Sequence, residues 1–123
     1  MKLNYDCVRD IMLYLEENLN FGNPIRDTNI NLNYDIKDIR YSLLKLHEIN
    51  YLDGSVSKYM DGDYSVITTD ITFYGHKFIG EIQSDTIWDK TKSVSKDLGI
   101  QTINGITQIA GSVISGLILS KLG

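Results

Sequence analysis

Ile36, Ile39, Leu43 and Leu46 recur at steps of three and four along residues 35–50, the spacing of one apolar stripe on an α-helix. Lys37, Tyr41, Leu44, Lys45 and Glu48 turn away from that stripe. The outward face therefore mixes positive charge, an aromatic ring, one leucine and an acid. Upstream, Val8, Ile11, Met12, Leu15 and Leu19 mark a helix from Asn4, its cap, to about Asn20. Asp6 sits in its first turn, where the helix dipole favours an acid. Phe21-Gly22-Asn23-Pro24 ends it, because glycine and asparagine tolerate a left-handed turn and proline cannot continue a helix. Ile30-Asn31-Leu32 alternates and predicts a minor strand.

After the helix at 35–50 come two runs rich in Tyr, Val, Ile and Thr, at 54–59 and 64–71, which predict strands. Met60-Asp61-Gly62-Asp63 joins them as a hairpin loop with Asp-Gly inside it. A helix leading straight into a two-stranded ribbon is the layout of a winged helix, and the ribbon's tip is its wing. The fold expected is therefore α+β: a winged helix-turn-helix-like domain with a C-terminal helical extension. Thr72 is set to cap a further helix, with Phe73, His76, Phe78, Ile79 and Ile82 supplying contacts. Asp85 is set to cap another short one, with Ile87 and Trp88 buried and Lys90, Lys92 and Lys96 near its carboxyl end.

From Leu98 to Ser120 there is no charged residue. Ile103, Ile106, Ala110, Val113 and Leu117 form a heptad-like seam, widened by Ile109 and Ile114. Gln101, Asn104, Gln108, Ser112 and Ser115 make the opposite face polar but uncharged. The length suits a membrane span, but the glutamines, asparagine and serines oppose insertion and no aromatic belt flanks it. An interfacial helix carries Lys and Arg on its polar face, and only Lys121 is present. A helix packed on protein, in its sharper form a homodimer seam with close approach at Gly105, Gly111 and Gly116, is the reading favoured. A membrane role is not expected. The organisation expected is residues 1–96 as the winged-helix-like domain with its trailing helices and 97–123 as the amphipathic helix, in one structural unit.

At 123 residues the chain suits one domain with a core of its own. Twelve Lys and Arg against sixteen Asp and Glu give a net charge of −4. Residues 1–53 hold six basic and nine acidic side chains, 54–96 five and six, and 97–123 one of each. No segment is a basic patch, which counts against a broad electrostatic grip on nucleic acid. The single Cys7 excludes an internal disulfide and fits a reducing, cytoplasmic setting; in the first helix it reads as an apolar filler. No signal peptide is visible at the start.

Ile71-Thr72-Phe73-Tyr74-Gly75-His76-Lys77-Phe78-Ile79, followed by Ser84-Asp85-Thr86-Ile87-Trp88-Asp89-Lys90, resembles domain-of-unknown-function family 2513. That family consists of small bacterial proteins frequently carried by phages and prophages. The opening Lys2-Leu3-Asn4-Tyr5-Asp6-Cys7-Val8-Arg9-Asp10-Ile11 and Tyr41-Ser42-Leu43-Leu44-Lys45-Leu46 are similar to its helices, and Ser42 departs where the family often has histidine. The resemblance implies a winged-helix-like fold and a phage or prophage setting in a host cell. It implies no activity, and no catalytic residue is carried over.

Candidate chemistry is sparse. His47 and His76 with one cysteine cannot furnish the three or four ligands of a zinc site. His76, beside Phe78, reads as a hydrogen-bonded core or boundary histidine. Asp61 and Asp63 lack the remaining ligand ladder of a calcium loop. There is no phosphate loop, nucleophile elbow or paired-acid arrangement. Trp88 reads as a core anchor. No enzyme, cofactor or metal is expected. The candidate site is the outward helix face, Lys37, Arg40, Tyr41, Leu44 and Lys45, with Lys58 and the wing residues Asp61, Gly62 and Asp63. Its plain alternative is a solvated helix surface.

Two functions fit. One is a DNA-binding regulator whose helix enters the major groove, with Lys37, Arg40 and Lys45 on bases or phosphates. The wing argues against it, since two carboxylates at its tip would be repelled by phosphates. The other is a protein-binding module, for instance an inhibitor of a host defence system, anchored by Tyr41 and Leu44.

Overall fold

The structure, a computed structural model, describes residues 1–122. The chain divides into two compact units, Met1–Lys77 and Phe78–Gly123. α4 (Asp85–Leu98) and α5 (Ile103–Leu122) both fall within the second of these units.

The first unit opens with α1 (Tyr5–Asn18), capped as expected by Asn4, whose side chain accepts the Cys7 N–H at 3.1 Å. Its buried face is Cys7, Val8, Ile11, Met12 and Leu15; Leu19 lies just beyond the helix and is half-buried. Burial pushes the Cys7 thiol up to about 11, so it stays protonated and behaves as an apolar filler. α2 (Ile36–Glu48) is capped by Asp35, which accepts the Lys37 N–H at 2.9 Å. Ile39, Leu43 and Leu46 are buried, whereas Ile36, on the first turn at the edge of the core, is 38% exposed. Each fully buried Leu, Ile or Met side chain in this interface contributes about 1.5–3 kcal/mol. Ahead of α2, the Tyr34 phenol donates to Asp10 at 2.6 Å and ties the incoming loop to α1.

Three strands complete the unit: β1 (Ile25–Arg26), β2 (Leu52–Lys58) and β3 (Tyr64–Ile71), in the antiparallel order β1-β3-β2. The hairpin expected at 54–71 is present, with Val56 opposite Val66 and Lys58 opposite Tyr64. Its register shifts between Asp53 and Gly54. Gly54 has φ +156°, and a Cβ there would lie 1.9 Å from the Ile67 carbonyl oxygen, so the bulge excludes any side chain. The strand expected at Ile30-Asn31-Leu32 is displaced. Ile25 and Arg26 take the β3 edge, opposite Thr68 and Ile67, and a 3-10 turn at Asp27–Asn29 then leads the chain off the sheet. Ile30 still buries its side chain, as the residue closing that turn.

The order α1, β1, 3-10 turn, α2, β2, β3 is a winged-helix-like arrangement, with the usual middle helix shortened to one turn.

α3 (Phe73–Ile82) begins where Thr72 Oγ1 accepts the Gly75 N–H at 3.1 Å, as expected, and it bridges the division between the units. Gly75, Phe78, Ile79 and Ile82 are its buried positions. His76 lies one step off that stripe, so it is solvent-exposed and not the hydrogen-bonded core or boundary histidine expected; its Nδ1 stands 4.0 Å from Glu16. Phe73 is also exposed.

In the second unit, α4 (Asp85–Leu98) is a full 14-residue helix whose cap is Ser84, one residue before the Asp85 expected. The Ser84 hydroxyl accepts the Ile87 N–H at 3.3 Å, leaving Asp85 to face the dipole in the first turn. Trp88 is buried as anticipated and Ile87 is only half-buried. α5 (Ile103–Leu122) starts after a turn in which Ser95 donates to the Ile100 carbonyl at 2.6 Å and Thr102 Oγ1 accepts the Gly105 N–H at 3.0 Å. α4 and α5 pack on each other. By length and composition alone, α5 could cross a membrane.

Candidate partner-binding face

The face that sequence analysis picks out lies wholly within the first unit. Its residues divide sharply by what else they do. Lys37 is exposed, and Tyr41, Leu44 and Lys45 are half-buried on the same side of α2. Lys45 Nζ is 3.1 Å from Glu48 and 5.3 Å from the centroid of the Tyr41 ring. The Glu48 hydrogen bond holds the Lys45 ammonium above its ordinary pKa, so it stays charged while its field is largely compensated.

Arg40 carries a structural role besides its place on this face. Its Nε donates to Asp27 Oδ2 at 3.1 Å, and its Nη1 stands 3.6 Å from Asp63 Oδ1 at the wing. Asp27 is 2% exposed, and the same Oδ2 also accepts the Val66 N–H at 2.9 Å. One buried carboxylate therefore joins the 3-10 turn, α2 and β3, and the guanidinium expected to reach outward closes that joint. Two acids surround it. Nothing in the hydrophobic pattern marks Asp27, because its burial depends on partners far away in sequence.

The wing is organised by its own acids. Tyr59 and Asp63 close the loop with a 2.8 Å backbone hydrogen bond, and Gly62 donates to Tyr59 at 3.1 Å. Asp61 Oδ1 accepts the Asp63 N–H at 3.0 Å, and Asp63 Oδ1 accepts the Tyr64 N–H at 2.8 Å. Asp61, Gly62 and Asp63 are exposed, as is Lys58. Sequence reasoning passed over the neighbours that contribute most apolar surface here: Tyr59 is 53% exposed and Met60 fully so. Tyr64 lies at the base, where burial raises its phenol and the nearby Tyr41 adds to the effect.

His47 faces the other way, toward the sheet. Its Nε2 is 3.0 Å from the buried Thr68 hydroxyl, and burial lowers its pKa while Asp53 partly opposes that. Among the described residues, no three of His, Cys, Asp and Glu gather as a set able to hold a metal.

Of the expected seam on α5, Ile103, Ile106 and Ala110 are buried within the chain itself, Val113 is half-buried and Leu117 is exposed. The two halves of that helix therefore differ in what they leave open.

A helix followed by an antiparallel hairpin defines the class: a winged-helix-like α+β protein. Within that class, the chain belongs to the family described as "Hypothetical protein (DUF2513)", which matches residues 2–101. α5 lies beyond the matched residues. It is also similar to an "Uncharacterized protein" of Haemophilus influenzae, 24% identical over 119 residues that cover 96% of this chain and 99% of the relative. No solved structure matches it.

Proposed function

We propose that this protein is a non-enzymatic binding module whose α2–wing face docks another protein. The observation that carries this reading is the internal neutralisation of Arg40 by Asp27 and Asp63. Nucleic-acid affinity rests on cations free to displace counterions from phosphates. Here the most central cation is committed to the fold, Lys45 is compensated by Glu48, and the wing tip presents Asp61 and Asp63. What the face offers besides charge is the half-buried Tyr41 and Leu44 and the exposed Tyr59 and Met60, aromatic and methionine side chains of the kind enriched in protein interfaces. The acidic wing favours a partner with a basic surface. In the phage or prophage setting that the family resemblance implies, such a partner is a host protein, and a DNA-binding defence enzyme has the required charge.

A DNA-binding regulator is the second reading. It is favoured by the exposed Lys37 in the first turn of α2, where recognition helices of this layout meet base edges. Fluorescence anisotropy with duplex DNA across a salt series separates the two. Binding that weakens steeply with salt and is lost in Lys37→Ala supports the regulator. The protein-docking reading expects no saturable binding, together with capture of a discrete host protein that Leu44→Asp abolishes.

A further inference from the structure

The carboxyl half of α5 carries Leu117, Ile118, Leu119 and Leu122 at 40%, 53%, 68% and 80% exposure. Beside it, on the same unit, runs an open groove of about 640 Å³ between α4 and α5. Val94, Leu98, Ile109 and Val113 supply its apolar sides, and Ser112 and Gly116 leave room along it, with nothing within 4 Å of a Cβ built at Gly116. On the other side of the helix, Ile87, Ile114, Ile118 and Leu122 line a second apolar depression of about 330 Å³. Leu117 borders both.

We infer that this surface is closed by a second copy of the same chain, the α5 tail of each copy lying in the α4–α5 groove of the other. Charge selects that occupant. Residues 78–123 contain four acids and four lysines, so the second unit is neutral and the whole net charge of −4 resides in residues 1–77. Two copies meeting through the second unit bring together no net charge, and Lys90 is the one charged side chain that lines the groove. A basic partner would find nothing to hold on a stretch without charge from Leu98 to Ser120. An anionic lipid surface is disfavoured too, because the polar side of α5 offers only Lys121 and the second unit carries no net positive charge.

Geometry agrees. Residues 113–122 span about 15 Å of helix, too short for one tail to cover the roughly 800 Å² per partner of a stable interface. Reciprocal insertion under a two-fold axis doubles the contact and makes it self-complementary. The interface is thus the exposed end of the helix, not the Ile103, Ile106 and Ala110 positions, which the chain fills by itself. This holds whatever the α2 face binds.

Light scattering and sedimentation velocity on the full chain at tens of micromolar test it. The wild type is expected at twice the chain mass. Leu117→Asp with Ile118→Asp is expected at the monomer mass with an unchanged far-ultraviolet spectrum, since both side chains are exposed. A monomeric wild type, or a double variant that remains dimeric, overturns the proposal. Cosedimentation of the wild type with phosphatidylcholine–phosphatidylglycerol vesicles, lost in the same variant, overturns it in favour of a lipid surface. Should the double variant unfold, Gly116→Leu, which fills the groove, is expected to weaken the dimer; dimerisation of wild-type strength in that variant refutes the groove.

Discussion

Arg40 Nε lies 3.1 Å from Asp27 Oδ2, and that carboxylate oxygen is shared with the backbone N–H of Val66. The pair joins a turn, the outward helix and the central strand, so charge that could have served a ligand serves the fold. Removing one partner of a buried pair leaves the other uncompensated. Asp27→Ala is therefore expected to lower the unfolding free energy by about 3 kcal/mol, read as a fall in the urea midpoint. Arg40→Ala should cost less, because the guanidinium is partly solvated, and the double variant should lose less than the sum of the two.

Gly75 is set by contact. A Cβ at this position would sit 2.1 Å from the Tyr51 carbonyl oxygen, the same oxygen that accepts the Thr72 N–H at 3.1 Å. α3 thus starts against the backbone that follows α2, which gives Gly75 a structural reason. Gly75→Ala should destabilise by about 1–3 kcal/mol through overpacking, with His76→Ala near neutral because His76 is exposed; thermal unfolding of both variants checks this.

Thr72 works at the same corner, accepting from Gly75 and donating to the Asn50 carbonyl. Loss of a cap of this kind costs about 1 kcal/mol, so Thr72→Ala should lower stability by that amount and Thr72→Ser should recover most of it.

His47 gives a pH signature. Its folded pKa is lowered by burial, so the native state prefers the neutral ring and the unfolded chain binds the proton more readily. Stability is full above the unfolded value of about 6.5 and falls as the pH drops below it, toward the folded value. Chemical denaturation at pH 7.5 and pH 5.5 should therefore show a loss on acidification in the wild type. The loss should shrink in His47→Gln, which can still bond Thr68 but does not titrate; an equal loss in both would assign it to other groups.

Where the apolar period was strong, the fold was legible. The stripes of α1 and α2, the hairpin at 54–71 and the burial of Trp88 follow from spacing and β-branched content alone. Short and tertiary features were not. The strand expected at 30–32 gave way to Ile25–Arg26 because the latter pair with β3, a long-range event that a three-residue alternation cannot register. Arg40 reads as outward in a helical projection, and only the burial of Asp27 turns its charge inward. On α5 the seam read as continuous, yet packing against α4 uses its first half and leaves Leu117, Ile118 and Leu122 open.

Placing a photoreactive benzoylphenylalanine at Leu44, and at the exposed Glu17 on α1 as control, asks directly what the α2–wing face touches inside host cells. The neutralised face predicts a discrete adduct from position 44 that protease destroys and nuclease leaves intact, and none from position 17. A nuclease-sensitive adduct at position 44, or no adduct there at all, would contradict it.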